Sequence, residues 1–177
     1  MPIYTKKGDK GTTNFIDKSK RVEKDSVKVE TLGALDELNS FLGIARSFCD
    51  NPERDVFIKD IQDNLFRICA IIAGSDLKFN KSNTTRLEKE IDRIEEKVGP
   101  ISSFRFSQGS RFATHLMYAR SLARRAERRT VALNRLEKIH PNILQYLNRL
   151  SDMLFMLFRE ANFDAGVAEE GWSPKKS

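Results

Sequence analysis

Five arginines and a single acid crowd into the segment A-R-S-L-A-R-R-A-E-R-R, from Ala119 to Arg129. Arginine and alanine favour helix, and on a helix Arg120, Arg124, Glu127 and Arg128 stand at i, i+4, i+7 and i+8, on one face. Leu116, Ala119, Ala123 and Ala126 form the adjacent stripe, small enough for another helix to approach closely. Guanidinium is planar, permanently charged and forked, which suits phosphate and carboxylate. The row therefore grips an anionic ligand, or else it is a solvated face closed by internal ion pairs.

Three other places could join it. In Y-T-K-K-G-D-K-G-T-T, from Tyr4 to Thr13, the glycines allow backbone N–H groups to converge on an anion, while lysines and threonines add charge and hydroxyls. The pattern is not the G-x-x-x-x-G-K-[ST] phosphate loop, and a basic arm without a ligand is the competing reading. In Y-L-N-R-L-S-D, Asn148, Ser151 and Asp152 place a polar face on an otherwise apolar helix. An amide there can read a base or ribose, or fix helix register. Asp36, in L-D-E-L-N, needs a cation, which the arginine-bearing helix could supply.

Other chemistries find little support. The two histidines, His115 and His140, do not stand at ligand spacing, and the two cysteines, Cys49 and Cys69, form no C-x-x-C pair. They read as apolar free thiols, so neither a protein-built metal site nor a protein nucleophile is expected.

The elements that must position these residues are helices. The chain has 177 residues, 40% of them hydrophobic, with 5 Pro and 9 Gly, which fits one mainly helical domain. Apolar spacing predicts helices over 27–49, 52–76, 84–98, 110–136 and 141–163. Pro52 suits a first turn, Thr85 and Glu88 resemble a capping box, and Gly99-Pro100 stops the third helix. The predicted fold is all-α, a five-helix bundle over residues 25–163. An irregular segment with six lysines, residues 1–24, precedes it, and a loose polar tail, 164–177, follows. The net charge of +6 favours anionic partners without choosing among them. No apolar run is long enough to span a bilayer and the first residues carry no apolar signal core, so a cytoplasmic location with no membrane partner is expected.

Taken together, T-K-K-G-D-K-G-T-T, R-V-E-K-D followed by V-E-T-L-G-A-L-D-E-L-N-S, A-R-S-L-A-R-R-A-E-R-R and Y-L-N-R-L-S-D-M-L-F resemble the PduO-type ATP:cob(I)alamin adenosyltransferases. The likeness spans residues 3–163. It implies a bundle assembling as a homotrimer, with active sites between subunits. It also implies transfer of the 5′-deoxyadenosyl group of ATP to Co(I) of cobalamin, giving adenosylcobalamin and triphosphate, with Mg²⁺ arriving on ATP. ATP would be held by Thr5, Lys6, Lys7, Gly8, Thr13, Asn14 and Lys24, and by Arg124, Arg125, Ala126, Glu127, Arg128 and Asn148. Catalysis would rest on Arg124, Glu127, Asp36 and Arg120, with Asp36 pairing to Arg120 of the partner subunit, and Phe104 would approach the lower face of the corrin. The partners implied are ATP, cobalamin and further copies of the chain, with a corrinoid reductase or a B12-dependent mutase beside them and no nucleic acid. The chain departs from the family pattern at Lys7 (usually Thr), at Ser107 (usually Pro) and at Met117 (often His). Two other readings stay open on the residues alone: an ATP-binding regulatory trimer without chemistry, and a basic helical nucleic-acid binder. Against the latter, Glu127 interrupts the basic face and no aromatic residue interleaves the arginines.

Overall fold

A computed structural model describes residues 4, 6–16, 21–101 and 103–174. Five helices carry the architecture: α1 (Val27–Arg46), α2 (Pro52–Ile72), α3 (Lys81–Val98), α4 (Arg111–Asn134) and α5 (Pro141–Asp164). Helix α1 packs on α2 and α4, and α5 packs on α4 and α3. Ion pairs from Arg54 to Glu90 and from Arg86 to Asp60 join α2 to α3 and complete the ring. The core runs down the middle, through Leu35, Leu38 and Leu42 of α1, Ile58, Leu65 and Ile68 of α2, Ile94 of α3, Leu116 of α4 and Leu147, Leu150 and Leu154 of α5, all fully buried. Among the described residues, no helix is long and apolar enough to cross a membrane.

Helix starts follow local chemistry. The Asn51 side chain accepts from Arg54 N–H at 3.1 Å and Pro52 fills the first turn of α2. Ser110 accepts from Ala113 N–H at 3.2 Å to cap α4, and Pro141 opens α5, as these residue types favour. Helix α3 begins one turn earlier than the capping-box pattern suggests. Asn80 is its N-cap residue. Buried Phe79, whose carbonyl accepts from the Asn142 amide at 3.0 Å, pins the chain before it. Thr85, now inside the helix, bonds back to the Lys81 carbonyl at 3.5 Å, the usual refuge of a mid-helix threonine. Helix α1 ends before Cys49, because the Ser47 hydroxyl donates to the Ile44 carbonyl at 2.7 Å and the last turn tightens.

Both flanking segments are more ordered than their composition suggests. Strands β1 (Thr12–Asn14) and β2 (Arg21–Glu23) form an antiparallel pair, with Thr13 opposite Val22. The tail forms β4 (Gly171–Trp172), antiparallel to β3 (Phe104–Arg105), with Trp172 opposite Phe104. The expectation of a loose tail is thus corrected over its described part, residues 164–174; residues 175–177 lie outside the described residues. Within residues 164–174 most side chains are exposed, but Glu169 is drawn in by Arg159 and Arg105.

Candidate active site

Helix α4 sorts its arginines by partner. Arg125 is ion-paired with Glu37 of α1, and Arg129 lies 3.7 Å from Glu30 of the same helix. Arg124 and Arg128 are exposed and make no ion pair or hydrogen bond among the described residues. Between them stands Glu127, whose carboxylate accepts from the Asn148 amide of α5 at 3.0 Å. Ala126 is fully buried against the core, so its contribution to the site is to let α5 come close enough for that bond. Two free guanidiniums beside an oriented carboxylate–amide pair make a site for an anion with a hydrogen-bonding appendage.

One turn towards the start of α4, Arg120 changes environment. Its guanidinium lies over the Phe155 ring, 5.6 Å from the centroid, and burial, then the neighbouring Arg124 charge, lowers its pKa against the opposing pull of Asp152. It stands at the edge of a groove of about 1240 Å³ between α3, α4, α5 and the β3–β4 pair. The groove has apolar walls from Ile91, Met117, Phe155, Met156, Phe104 and Trp172, and acids at its rim. Phe104 is 79% exposed and meets Trp172 edge to face, with ring centroids 6.4 Å apart. Large exposed aromatic surface facing a groove of this size marks a place for a large, flat, mostly apolar ligand.

The loop carrying Phe104 is set from α5. Asn162, fully buried, donates to the Gln108 carbonyl at 3.0 Å and accepts from Ser110 N–H at 3.1 Å. Between those bonds, Gly109 has φ +130°, and a Cβ on it would lie 1.9 Å from Asn162 Oδ1. Only glycine fits there.

At the other end of the molecule, the lysine- and glycine-bearing loop is held by a residue that the sequence reading left without a role. Arg21 of β2 donates to Thr12 Oγ1 at 2.7 Å, to Asn14 Oδ1 at 2.7 Å, and to the carbonyls of Lys7 and Thr12 at 2.5 Å and 2.8 Å. Asn14 therefore helps to shape the loop. Gly8 lies against the Lys24 ammonium, which a Cβ would approach to 3.1 Å. Gly11 takes φ +80°, and its carbonyl accepts from Lys24 N–H at 2.9 Å. Lys6 and Lys7 are exposed, and Thr13 is half-buried in β1. Thr5 lies outside the described residues.

Within one protomer no hydrogen bond or ion pair among the described residues joins this loop to Arg124 or Arg128, or Asp36 to Arg120. Asp36 is exposed on α1 and close enough to Cys69 of α2 for its charge to assist burial in raising that thiol to about 11. Arg120 instead faces α5. The structure thus assembles the α4 row, Asn148 and the groove, and leaves the loop and Asp36 on other faces. Among the described residues, no group of three or more His, Cys, Asp or Glu side chains could hold a metal ion.

A family model described as cobalamin adenosyltransferase matches residues 3–161. The chain belongs to the cobalamin adenosyltransferase family. The Bacillus subtilis corrinoid adenosyltransferase is 37% identical, over 96% of this chain and 91% of that protein. The Citrobacter freundii corrinoid adenosyltransferase PduO is 37% identical over 93% of this chain, which spans 51% of its length. Among solved structures, a variant PduO-type ATP:corrinoid adenosyltransferase from Lactobacillus reuteri, complexed with cobalamin and ATP, superposes with a TM-score of 0.92 at 33% identity, covering 98% of this chain and 100% of that one. Membership agrees with the mostly helical five-helix architecture and gives the free arginines and the groove a common context. Sequence reasoning found the arginine row, left open whether the tail around Trp172 is ordered, and missed Arg21, Arg105, Arg159 and Glu169. Trp172 stood out as the single tryptophan of the chain in an otherwise polar tail, whereas the four charged residues carried no local signal.

Proposed function

We propose that this protein transfers the 5′-deoxyadenosyl group of ATP to Co(I) of a corrinoid, giving adenosylcobalamin and triphosphate. One observation carries the reading. Arg124 and Arg128, without partners among the described residues, share a helix face with Arg120 at the lip of a groove of about 1240 Å³ with apolar walls. An anion site and a site for a large flat ligand are therefore contiguous.

The chemistry asks for no protein nucleophile. The electron pair of Co(I) attacks C5′, the cobalt–carbon bond forms, the C5′–oxygen bond breaks, and triphosphate departs with that bond's electrons. Negative charge builds on the leaving group, and fixed cations already in place stabilise it without reorganising. Arg124 and Arg128 supply them, with Lys6, Lys7, Lys24 and the glycine-bearing loop completing the cradle. Glu127 holds Asn148 towards the nucleoside. Phe104, Phe155 and Trp172 exclude water and a lower axial ligand from the metal. Holding both substrates in line removes much of the entropic cost of their encounter.

Several finer elements belong to the same reading. Mg²⁺ travels on the ATP phosphates, whose charge it would help to neutralise. The working form is a homotrimer in which the loop of one subunit meets α4 of the next, and Asp36 pairs with Arg120 of the partner subunit. That Asp36 is exposed on α1 and makes no ion pair among the described residues supports this arrangement. The enzyme works in the cytoplasm, beside a corrinoid reductase or a B12-dependent mutase. A nucleic-acid reading is disfavoured because α1 carboxylates neutralise Arg125 and Arg129, which leaves two free cations where a phosphate backbone needs a longer row.

The test is direct. Purified protein with ATP, Mg²⁺ and chemically reduced cob(I)alamin should develop the absorbance of adenosylcobalamin. ATP binding with no such change would support the regulatory reading instead. Asp36→Ala should lower the mass seen by light scattering or lower turnover, and a fully active trimer would overturn the intersubunit pair.

A further inference from the structure

We propose that Glu169 is a positioning residue that fastens the C-terminal segment as the outer wall of the groove, and so sets corrinoid affinity without touching ATP. The inference rests on the corrinoid reading of the groove.

Its basis is a buried guanidinium with no other counter-ion among the described residues. Arg159 on α5 is 3% exposed. It donates to the Gly99 carbonyl at 2.7 Å and the Val98 carbonyl at 3.3 Å, at the C-terminal end of α3. Carbonyls there carry partial negative charge but do not neutralise a full one, and an uncompensated buried charge is expensive. The adjacent carboxylate, Glu160, is already engaged by Arg54, Arg93 and Lys97. Glu169 fills the vacancy, with both oxygens near Arg159 Nε at 3.1 Å and 3.2 Å. One of those oxygens also lies 3.2 Å from Arg105 Nε on β3. One carboxylate thereby links α5, the end of α3, the Phe104 strand and the tail.

The tail's path follows from that anchor. Glu170 accepts from Phe106 N–H at 3.0 Å and Ala168 accepts from the Gln108 amide at 3.2 Å. Gly171 then passes close over Arg105, where a Cβ would come within 2.9 Å of its guanidinium and 2.8 Å of Ser103 Oγ. Trp172 is delivered opposite Phe104. The β3–β4 pair has two residues a side, too short to persist on its own. The ion pair, not the ladder, holds Trp172 in place.

Trp172 is the only tryptophan, so its fluorescence reads the tail directly. In Glu169→Ala, with no substrate present, its emission should shift to the red and acrylamide quenching should rise, while far-UV circular dichroism stays unchanged. The KM for cob(I)alamin should rise about tenfold, on the order of what one displaced aromatic contact is worth, with the KM for ATP within about twofold. Trp172→Ala should raise the corrinoid KM similarly, and the double variant should be no worse than Trp172→Ala alone, since both changes act through one wall. Glu169→Asp, which keeps the charge, should recover part of the loss. Unchanged quenching in Glu169→Ala, or a corrinoid KM equal to wild type in an active enzyme, would overturn the proposal. If the wild-type protein fails to adenosylate cob(I)alamin, the functional reading falls, whereas the fluorescence comparison still decides whether Glu169 holds the tail.

Discussion

Two clusters of cations in this molecule use the same residue types to opposite ends. Around Glu160, which is 2% exposed, Arg54, Arg93 and Lys97 converge at 2.6–3.3 Å. Glu90 pairs with Arg54 and Arg93, and Asp164 lies 2.5 Å from Lys97. Three cations meet three carboxylates, so the cluster is neutral and closed. Burial pushes the Glu160 carboxyl up against the pull of Arg54 and Lys97, as a charge taken out of water should behave. On α4, Arg124 and Arg128 make no ion pair among the described residues, and the intervening Glu127 accepts from Asn148. A charge whose partner is built into the fold holds helices together. One left without a partner among the described residues, in a row whose neighbours are satisfied, is free to meet a ligand, as proposed above for Arg124 and Arg128.

The sharpest way to break that contrast is to remove the central acid of the closed cluster. Glu160→Ala strands three cations and should cost about 3–5 kcal/mol of stability, measured by urea unfolding, while kcat at a temperature where the variant is folded stays near wild type. A large loss of kcat without loss of stability would reverse the roles assigned to the two clusters. The open row should answer the other way. Arg124→Ala should lower kcat about 10²- to 10³-fold, the usual loss when a stabilising donor leaves a transition state, with an unchanged urea midpoint. Arg129→Ala, two turns of partner logic away, should change neither by more than about 0.5 kcal/mol, as expected of exposed pairs. Full activity in Arg124→Ala would mean that the free arginines do not serve the ligand.

The smallest effect concerns pH. The Arg46 guanidinium hydrogen-bonds Asp55 and holds its carboxyl below the usual carboxylate range. A depressed folded pKa adds stability that is fully present above about pH 4, the unfolded value, and is lost as pH falls through the folded one. Asp55→Asn should flatten that acid limb slightly in thermal melts recorded from neutral to acid pH, with no change in turnover. An unaltered limb would show that the pair adds nothing.

The helices were legible because their apolar residues recur along each helix, and because Pro52, Ser110 and Pro141 mark starts with chemistry that works over three or four residues. The start of α3 was misread for the same local reason: the threonine–glutamate pattern is present, but Phe79, pinned by Asn142, starts the helix sooner. The two strand pairs were hidden because strands of three and two residues are too short to show alternation. Within the site, the arginine row and Asn148 could be found from spacing. The division of the row could not, since Glu37 and Glu30 reach it from another helix. The Glu169–Arg159–Arg105 contact joins three segments distant in sequence, and only the folded chain brings them together.

Helix α5 carries a consequence of its own. Asn148 fixes Glu127 beside the free arginines, and fourteen residues later Asn162 fixes the loop that presents Phe104. At 1.5 Å per residue, these two amides stand about 21 Å apart along one rigid axis. The helix is therefore a gauge. It sets how far the free arginines of α4 lie from the lip of the apolar groove, and one residue inserted between the amides would turn the second by about 100° away from its loop.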